Sequence, residues 1–194
     1  RTRCGPQQPD DALPEEVTSQ PAVIGLGTGT MACYNQAGQQ MTFYEIDPLI
    51  EDIARDESLF TYLRDCPGQN EVVLGGARLS LAETSDEYGI IVADAFSSDA
   101  IPVHLMTREA IDLYFDKLQE NGVLLVHISN RHLDLEPVLG NVAQDAGLAG
   151  HPGERAVVSP TPRGARLLLA LQRELLERGA WPLLRTSLPG EHEQ

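Results

Sequence analysis

The chain has 194 residues, a length that fits one domain by the rule of about 100–200 residues per domain. It carries 29 acidic against 14 basic residues, a formal net charge of −15, with Lys117 the sole lysine. That balance excludes a nucleic-acid backbone binder and a basic membrane-surface helix, both of which need a cationic face, and it suits a cationic substrate as well as it serves solubility.

Residues 1–20 read as a flexible N-terminal tail: Pro6, Pro9, Pro14, several glutamines and four acids bury too little to offset ordering entropy. The chain starts at Arg1 rather than Met, as a fragment or processed form would. The three cysteines, Cys4, Cys33 and Cys66, form neither an even framework nor a C-x-x-C pair, which argues against zinc and for a reducing, cytoplasmic setting. No apolar run approaches the roughly 18–20 residues of a membrane span, and no signal peptide is visible.

From Pro21 onward, short apolar runs alternate with helical patterns. The predicted strands are 22–27 (AVIGLG), 41–46 (MTFYEI), 71–74 (EVVL), 89–95 (GIIVADA) and 122–128 (GVLLVHI), with a weaker sixth at 156–159. Continuous apolar runs suit strands buried on both faces. A helix should open at Asp47-Pro48, Asp as N-cap and Pro at the first helical position. A second is predicted over 107–120, capped by Thr107 and burying Ile111, Tyr114, Phe115 and Leu118, with Gly122 after its end. Further helices are expected over 133–146 and 166–178. The alternation predicts an α/β fold with a parallel sheet over 21–179, followed by a C-terminal tail at 180–194.

In open α/β sheets, ligands bind outside the carboxyl ends of the strands. The first strand ends in Gly25-Leu26-Gly27-Thr28-Gly29-Thr30, a turn that lets a ligand approach the backbone; Thr30 in the third position departs from the dinucleotide pattern G-x-G-x-x-G. An acid about 20 residues further on suits a ribose hydroxyl pair. Asp47 is already explained as a helix cap, which leaves Glu45 as the better ribose ligand. Asp94, Ser97, Ser98 and Asp99 follow the fourth strand, where carboxylates bind an amine or take its proton, or else cap the loop. A metal site from His127, His132 and Asp134 is outweighed by packing and capping. A hydrolase triad from Ser98, Asp99 and His104 lacks the G-x-S-x-G elbow.

Taken together, VIGLGTGT (23–30), FYEIDP (43–48), LGGARLSL (74–81), IIVADAFSSDAIPVHLMTREA (90–110) and GVLLVHISNRHLDLEPVL (122–139) resemble the spermidine synthase family, the polyamine aminopropyltransferases. The likeness is strongest to the spermidine-synthase-like domains often fused to membrane segments in bacteria. It implies a Rossmann-like, S-adenosylmethionine-methyltransferase-type fold with a doubly wound, mostly parallel sheet. It implies decarboxylated S-adenosylmethionine as co-substrate, methylthioadenosine as product, a small polyamine such as putrescine as acceptor, no tightly bound cofactor and no metal. Gly25, Gly27, Gly29, Glu45, Gly76 and Ala77 would then form the nucleoside site. Asp94 would take the proton of the attacking amine, and Asp99, with Ser97, Ser98 and His104, would bind the amine chain. The family also allows a homodimer. A catalytically impaired nucleoside-binding domain and a methyltransferase are the alternatives. Four departures stand out: Gly75-Gly76 replaces the family's glycine–aspartate pair, whose acid meets the adenine amino group. Asp94 and Asp99 are five apart rather than three. An N-terminal β-hairpin domain and a late aromatic–acidic segment find no counterpart.

Overall fold

The computed structural model describes residues 20–95, 102–127, 136–145 and 166–170. Among the described residues six strands form one sheet: β1 (Pro21–Ile24), β2 (Gln40–Glu45), β3 (Gln69–Leu74), β4 (Tyr88–Ala93), β5 (Leu118–His127) and β6 (Arg166–Ala170). Their order is β3-β2-β1-β4-β5-β6, and all five pairings are parallel. The chain winds outward from β1 to β3, then crosses back to place β4 on the other side of β1. That reversal between β1 and β4 is the topological switch point, where α/β folds hold their ligands.

The apolar runs are explained by two covered faces. Ala22, Ile24, Tyr44, Ile91, Ala93, Leu124 and Val126 pack on one side with Leu81, Ile111, Tyr114 and Leu139 from the helices. Val23, Met41, Phe43, Ile90, Val92, Val123 and Leu125 pack on the other with Ala32, Ala54 and Cys66. Alternate side chains of each strand feed opposite layers, so a strand with both faces covered reads as a continuous apolar run. The helices are α1 (Pro48–Arg55), α2 (Tyr62–Asp65), α3 (Ala77–Glu83), α4 (Arg108–Asp116) and α5 (Glu136–Asp145). Both predicted caps are present: Asp47 accepts from the Leu49 N–H at 2.9 Å, and Thr107 Oγ1 from the Ala110 N–H at 3.3 Å.

Three expectations are corrected. The helix of 107–120 stops at Asp116, because Leu118 pairs with Tyr88 as the first residue of β5. The helical spacing of Leu118 is real, but strand pairing claims it, and Gly122 lies within β5 where its register against β4 shifts. The leucines at 167–169, read as part of a helix over 166–178, form β6 against the edge of β5. Three adjacent leucines read as a strand as well as a helix, and only the partner strand decides. The remainder of that helix, the strand expected at 156–159 and the tails at 1–19 and 180–194 lie outside the described residues.

The third correction concerns the cysteines. Cys33 and Cys66 form a disulfide across 33 positions, with Cα atoms 4.7 Å apart. The fold brings them together because β2 and β3 run side by side. The turn before β2 is tied to the start of β3 by Asn35, whose Nδ2 donates to the Gln69 carbonyl at 2.8 Å and to Asn70 Oδ1 at 3.2 Å. Spacing in sequence could not show this, and the pairing removes the cysteine argument for a reducing setting. Among the described residues no helix is long and apolar enough to cross a membrane.

Candidate functional site at the strand ends

The glycine turn leaves β1 at the switch point. Gly25, Gly27 and Gly29 all have positive φ, at 101°, 53° and 82°. The Gly25 N–H donates to the Tyr44 carbonyl at 2.9 Å, and the Asp94 N–H donates to the Ile24 carbonyl at 2.9 Å, so the turn is clasped between the ends of β2 and β4. A Cβ on Gly25 would stand 2.7 Å from the Asp94 carbonyl oxygen and 3.0 Å from the Ala95 Cα. The first glycine is thus required by the neighbouring backbone. Gly27 has open space where a Cβ would stand, and it is the position of the turn that leaves room for a ligand. The turn runs into a five-residue 3-10 helix, Thr30–Tyr34.

Glu45 closes the turn from the second strand. Its carboxylate is buried, with 8% of the residue exposed. Oε2 accepts from the Leu26 N–H at 2.9 Å, and Oε1 accepts from the Asp47 N–H at 3.0 Å. Both oxygens therefore hold protein backbone, while a carboxylate offers about four lone-pair sites and keeps capacity for a hydroxyl pair. The sequence points to Glu45 as a ligand for a sugar; its role in tying β2 to the glycine turn is visible only in the structure.

Asp94 stands at the end of β4, on the other side of the same turn. Its Oδ1 accepts from His127 Nδ1 at 2.5 Å; the Asp94 side chain is 32% exposed and that of His127 is 3% exposed. His127 is the residue that sequence reasoning assigns to packing. The signal lies in the register: Ala93 pairs with Val126, so Asp94 and His127 share the next rung.

The remaining predicted residues divide. Gly76 caps α3 without a side chain, in extended backbone at φ −68°, and the nearest atom to a Cβ there is Leu79 Cδ1 at 4.0 Å. Ala77 is buried in the core, which leaves its backbone for any ligand contact. His104 is exposed in the short 3-10 helix Val103–Leu105 and is held by its carbonyl, which accepts from Arg78 Nη1 at 3.2 Å. The structure thus gathers the glycine turn, Glu45 and Asp94 through direct contacts and ties His104 to α3 only through its backbone. Ser97, Ser98 and Asp99, together with His132 and Asp134, lie outside the described residues. No group of three metal-ligating side chains occurs among the described residues. A cavity of about 190 Å³ between α1 and α2, lined in part by Arg55, Phe60, Leu63 and Arg64, shares no residue with these strand ends.

Parallel order 3-2-1-4-5-6, helices on both faces and a glycine turn facing an acid define a Rossmann-like α/β domain. No family model matches the chain. It is, however, a distant homologue of the polyamine aminopropyltransferases over about half of its length. It is 32% identical over 114 residues to a polyamine aminopropyltransferase of Vibrio vulnificus (strain CMCP6), covering 54% of this chain and 36% of that protein. It is 30% identical over 112 residues to a probable polyamine aminopropyl transferase of Bifidobacterium longum (strain NCC 2705), covering 55% of this chain and 23% of the relative. The matched stretch therefore spans well under half of each relative. Among solved structures, the spermidine synthase of Thermotoga maritima matches with a TM-score of 0.50 at 21% identity, over 64% of this chain and 42% of that one, a likeness of fold.

Proposed function

We propose that this chain is the nucleoside-binding and catalytic core of an aminopropyltransferase. Its donor is decarboxylated S-adenosylmethionine, and its acceptor is a small polyamine such as putrescine. The observation that carries the reading is Asp94: a carboxylate one-third exposed at the switch point, its backbone packed on the glycine turn that Glu45 holds from the other side. In this reading the neutral amine nitrogen attacks the methylene next to the sulfonium. The new C–N bond forms as the C–S bond breaks, the electron pair goes to sulfur, and methylthioadenosine leaves. A free alkylamine, like lysine with a pKa of about 10.4, is mostly protonated near neutrality, so a carboxylate that takes the proton supplies the lone pair. Glu45 and the open face at Gly27 orient the nucleoside, and orientation supplies much of the remaining acceleration. Both substrates are cations, in keeping with the acidic balance of the chain.

Gly76 favours a second reading, a nucleoside-binding domain without turnover. The position where the family places an aspartate for adenine has no side chain here, and open space around it.

Calorimetric titration with S-adenosylmethionine, its decarboxylated form and methylthioadenosine, followed by an assay of spermidine from putrescine, separates the readings. Binding of the decarboxylated donor with spermidine formation is expected. Tight methylthioadenosine binding without turnover supports the second reading, and binding of intact S-adenosylmethionine alone would overturn the aminopropyl-transfer reading.

A further inference from the structure

His127 is 2% exposed, at the carboxyl end of β5. Along β4 and β5, Ile90, Val92, Val123 and Leu125 face the same core layer. Two residues beyond Val92 and Leu125, Asp94 and His127 continue that alternation on adjacent strands, and their side chains meet at 2.5 Å. Neighbouring strands lie only about 4.8 Å apart, so this contact is imposed by the sheet rather than by a flexible loop. A buried polar group without a hydrogen bond is costly, which makes the imidazole a firm anchor for the carboxylate.

We propose that His127 is a positioning residue that holds Asp94 in place for the amine. For what Asp94 does, this rests on the aminopropyl-transfer reading; the pair itself rests on geometry. The direction is set by exposure. In a serine-protease triad the carboxylate is buried and the imidazole faces the substrate. Here the order is inverted: the imidazole is inside and the carboxylate outside, at 3% against 32% exposure. His127 is too enclosed to reach a substrate, whereas a third of the Asp94 side chain is exposed at the end of β4. One carboxylate oxygen is taken by the Nδ1–H of His127, which fixes the side-chain torsions. The basic lone pairs that remain are then directed at the reacting nitrogen without searching rotamers, a contribution to orientation of the kind that catalysis depends on.

Two measurements test this. In protein labelled with ¹⁵N-histidine, the Nδ1–H of His127 gives a hydrogen-bonded proton signal, and Asp94→Asn moves that signal while leaving the other four histidines in place. In turnover, His127→Phe keeps a planar ring in the buried site, somewhat larger than the imidazole, but removes the donor. It lowers kcat by about 10- to 100-fold, a share of the roughly 10²- to 10⁴-fold that a positioned base supplies, with KM for the nucleoside donor unchanged. His127→Asn, which restores an N–H near the Nδ1 position, recovers most of the loss. An Asp94→Asn spectrum in which the His127 signal does not move overturns the inference. So does an active enzyme whose kcat is indifferent to His127→Phe, or in which KM and kcat fall together and the asparagine gives no rescue. Should the phenylalanine variant fail to fold, the Asp94→Asn spectrum decides. A wild-type protein without spermidine formation sinks the aminopropyl-transfer reading instead, and the nitrogen spectrum then carries or overturns the Asp94–His127 pair by itself.

Discussion

Replacing Gly25 and Gly27 with alanine, one at a time, separates the two parts that the glycine turn plays. At Gly25 the backbone has φ 101°, and the new methyl would stand 2.7 Å from the Asp94 carbonyl oxygen and 3.0 Å from the Ala95 Cα. Neither atom yields easily, because the Asp94 N–H donates to the Ile24 carbonyl one residue before the substitution. Backbone strain of this kind costs about 1–3 kcal/mol, and overpacking a further 1–3 kcal/mol or so. Alanine returns about 0.4–1 kcal/mol by restricting the unfolded chain. The expected net loss is roughly 2–5 kcal/mol. At Gly27, φ is 53° and a methyl meets nothing within 4 Å. Only the left-handed conformation costs, about 1–2 kcal/mol, and the unfolded-state gain offsets much of it. Equilibrium urea unfolding measures both. With a slope of about 1–3 kcal/mol per molar, Gly25→Ala moves the midpoint by roughly 1 M or more and Gly27→Ala by less. Gly27→Ala should instead weaken methylthioadenosine binding, because it fills the open face of the turn. A Gly25→Ala protein no less stable than Gly27→Ala would refute the claim that the neighbouring strand end dictates the first glycine.

Glu45→Gln points an amide NH₂ at one of two backbone N–H groups that the carboxylate now serves, and without any ligand it should lower stability by about 1–3 kcal/mol in thermal unfolding. An unchanged melting temperature would mean that Glu45 does not clasp the turn. Gly76→Asp places a capping side chain at the start of α3, at φ −68° and with room around it. It should leave stability level or raise it by a few tenths of a kcal/mol, and tighten methylthioadenosine binding several-fold by calorimetry; weaker binding would count against an adenine edge at that position. Tyr44, Tyr88 and Tyr114 are all pushed above the ordinary value of 10.0, chiefly by burial, and for Tyr44 next by its hydrogen bond with Tyr88 at 2.6 Å. The unfolded chain loses these protons first, so stability is full below pH 10 and falls as pH rises beyond it. In an alkaline titration followed by tyrosinate absorbance, these three of the five tyrosines should ionise together with loss of the fold. Stepwise ionisation of all five with the fold intact would contradict the burial assigned to them.

Most of the fold is legible because burial on two faces writes itself into sequence. The runs at 22–27, 41–46 and 89–95 are apolar for the reason that helices cover both sides of the sheet there, whereas 71–74 belongs to the edge strand β3 and stays partly exposed; Asp47-Pro48 and Thr107 mark helix starts by local chemistry alone. The elements that sequence misreads depend on partners distant in the chain. Leu118 keeps helical spacing with Ile111 but is taken by Tyr88, and the leucines at 167–169 become a strand only because β5 has an open edge. The Cys33–Cys66 pairing follows from the packing of β2 beside β3, which no spacing rule contains. The site shows the same division. Gly25, Glu45 and Asp94 can be named from strand ends, whereas the use of Glu45 as a clasp and of His127 as the partner of Asp94 requires the register of the sheet. Asp99 and the serines before it lie outside the described residues, so their part stays with the resemblance that suggests it.

The central claim, that Asp94 takes the proton from an attacking amine at a nucleoside site, is tested most directly by one comparison. Wild-type and Asp94→Asn proteins are given decarboxylated S-adenosylmethionine and putrescine, with spermidine measured over time and methylthioadenosine affinity measured alongside. The account predicts that the variant loses turnover by at least about 10²-fold while binding methylthioadenosine as the wild type does. Equal rates of spermidine formation in the two proteins would contradict it.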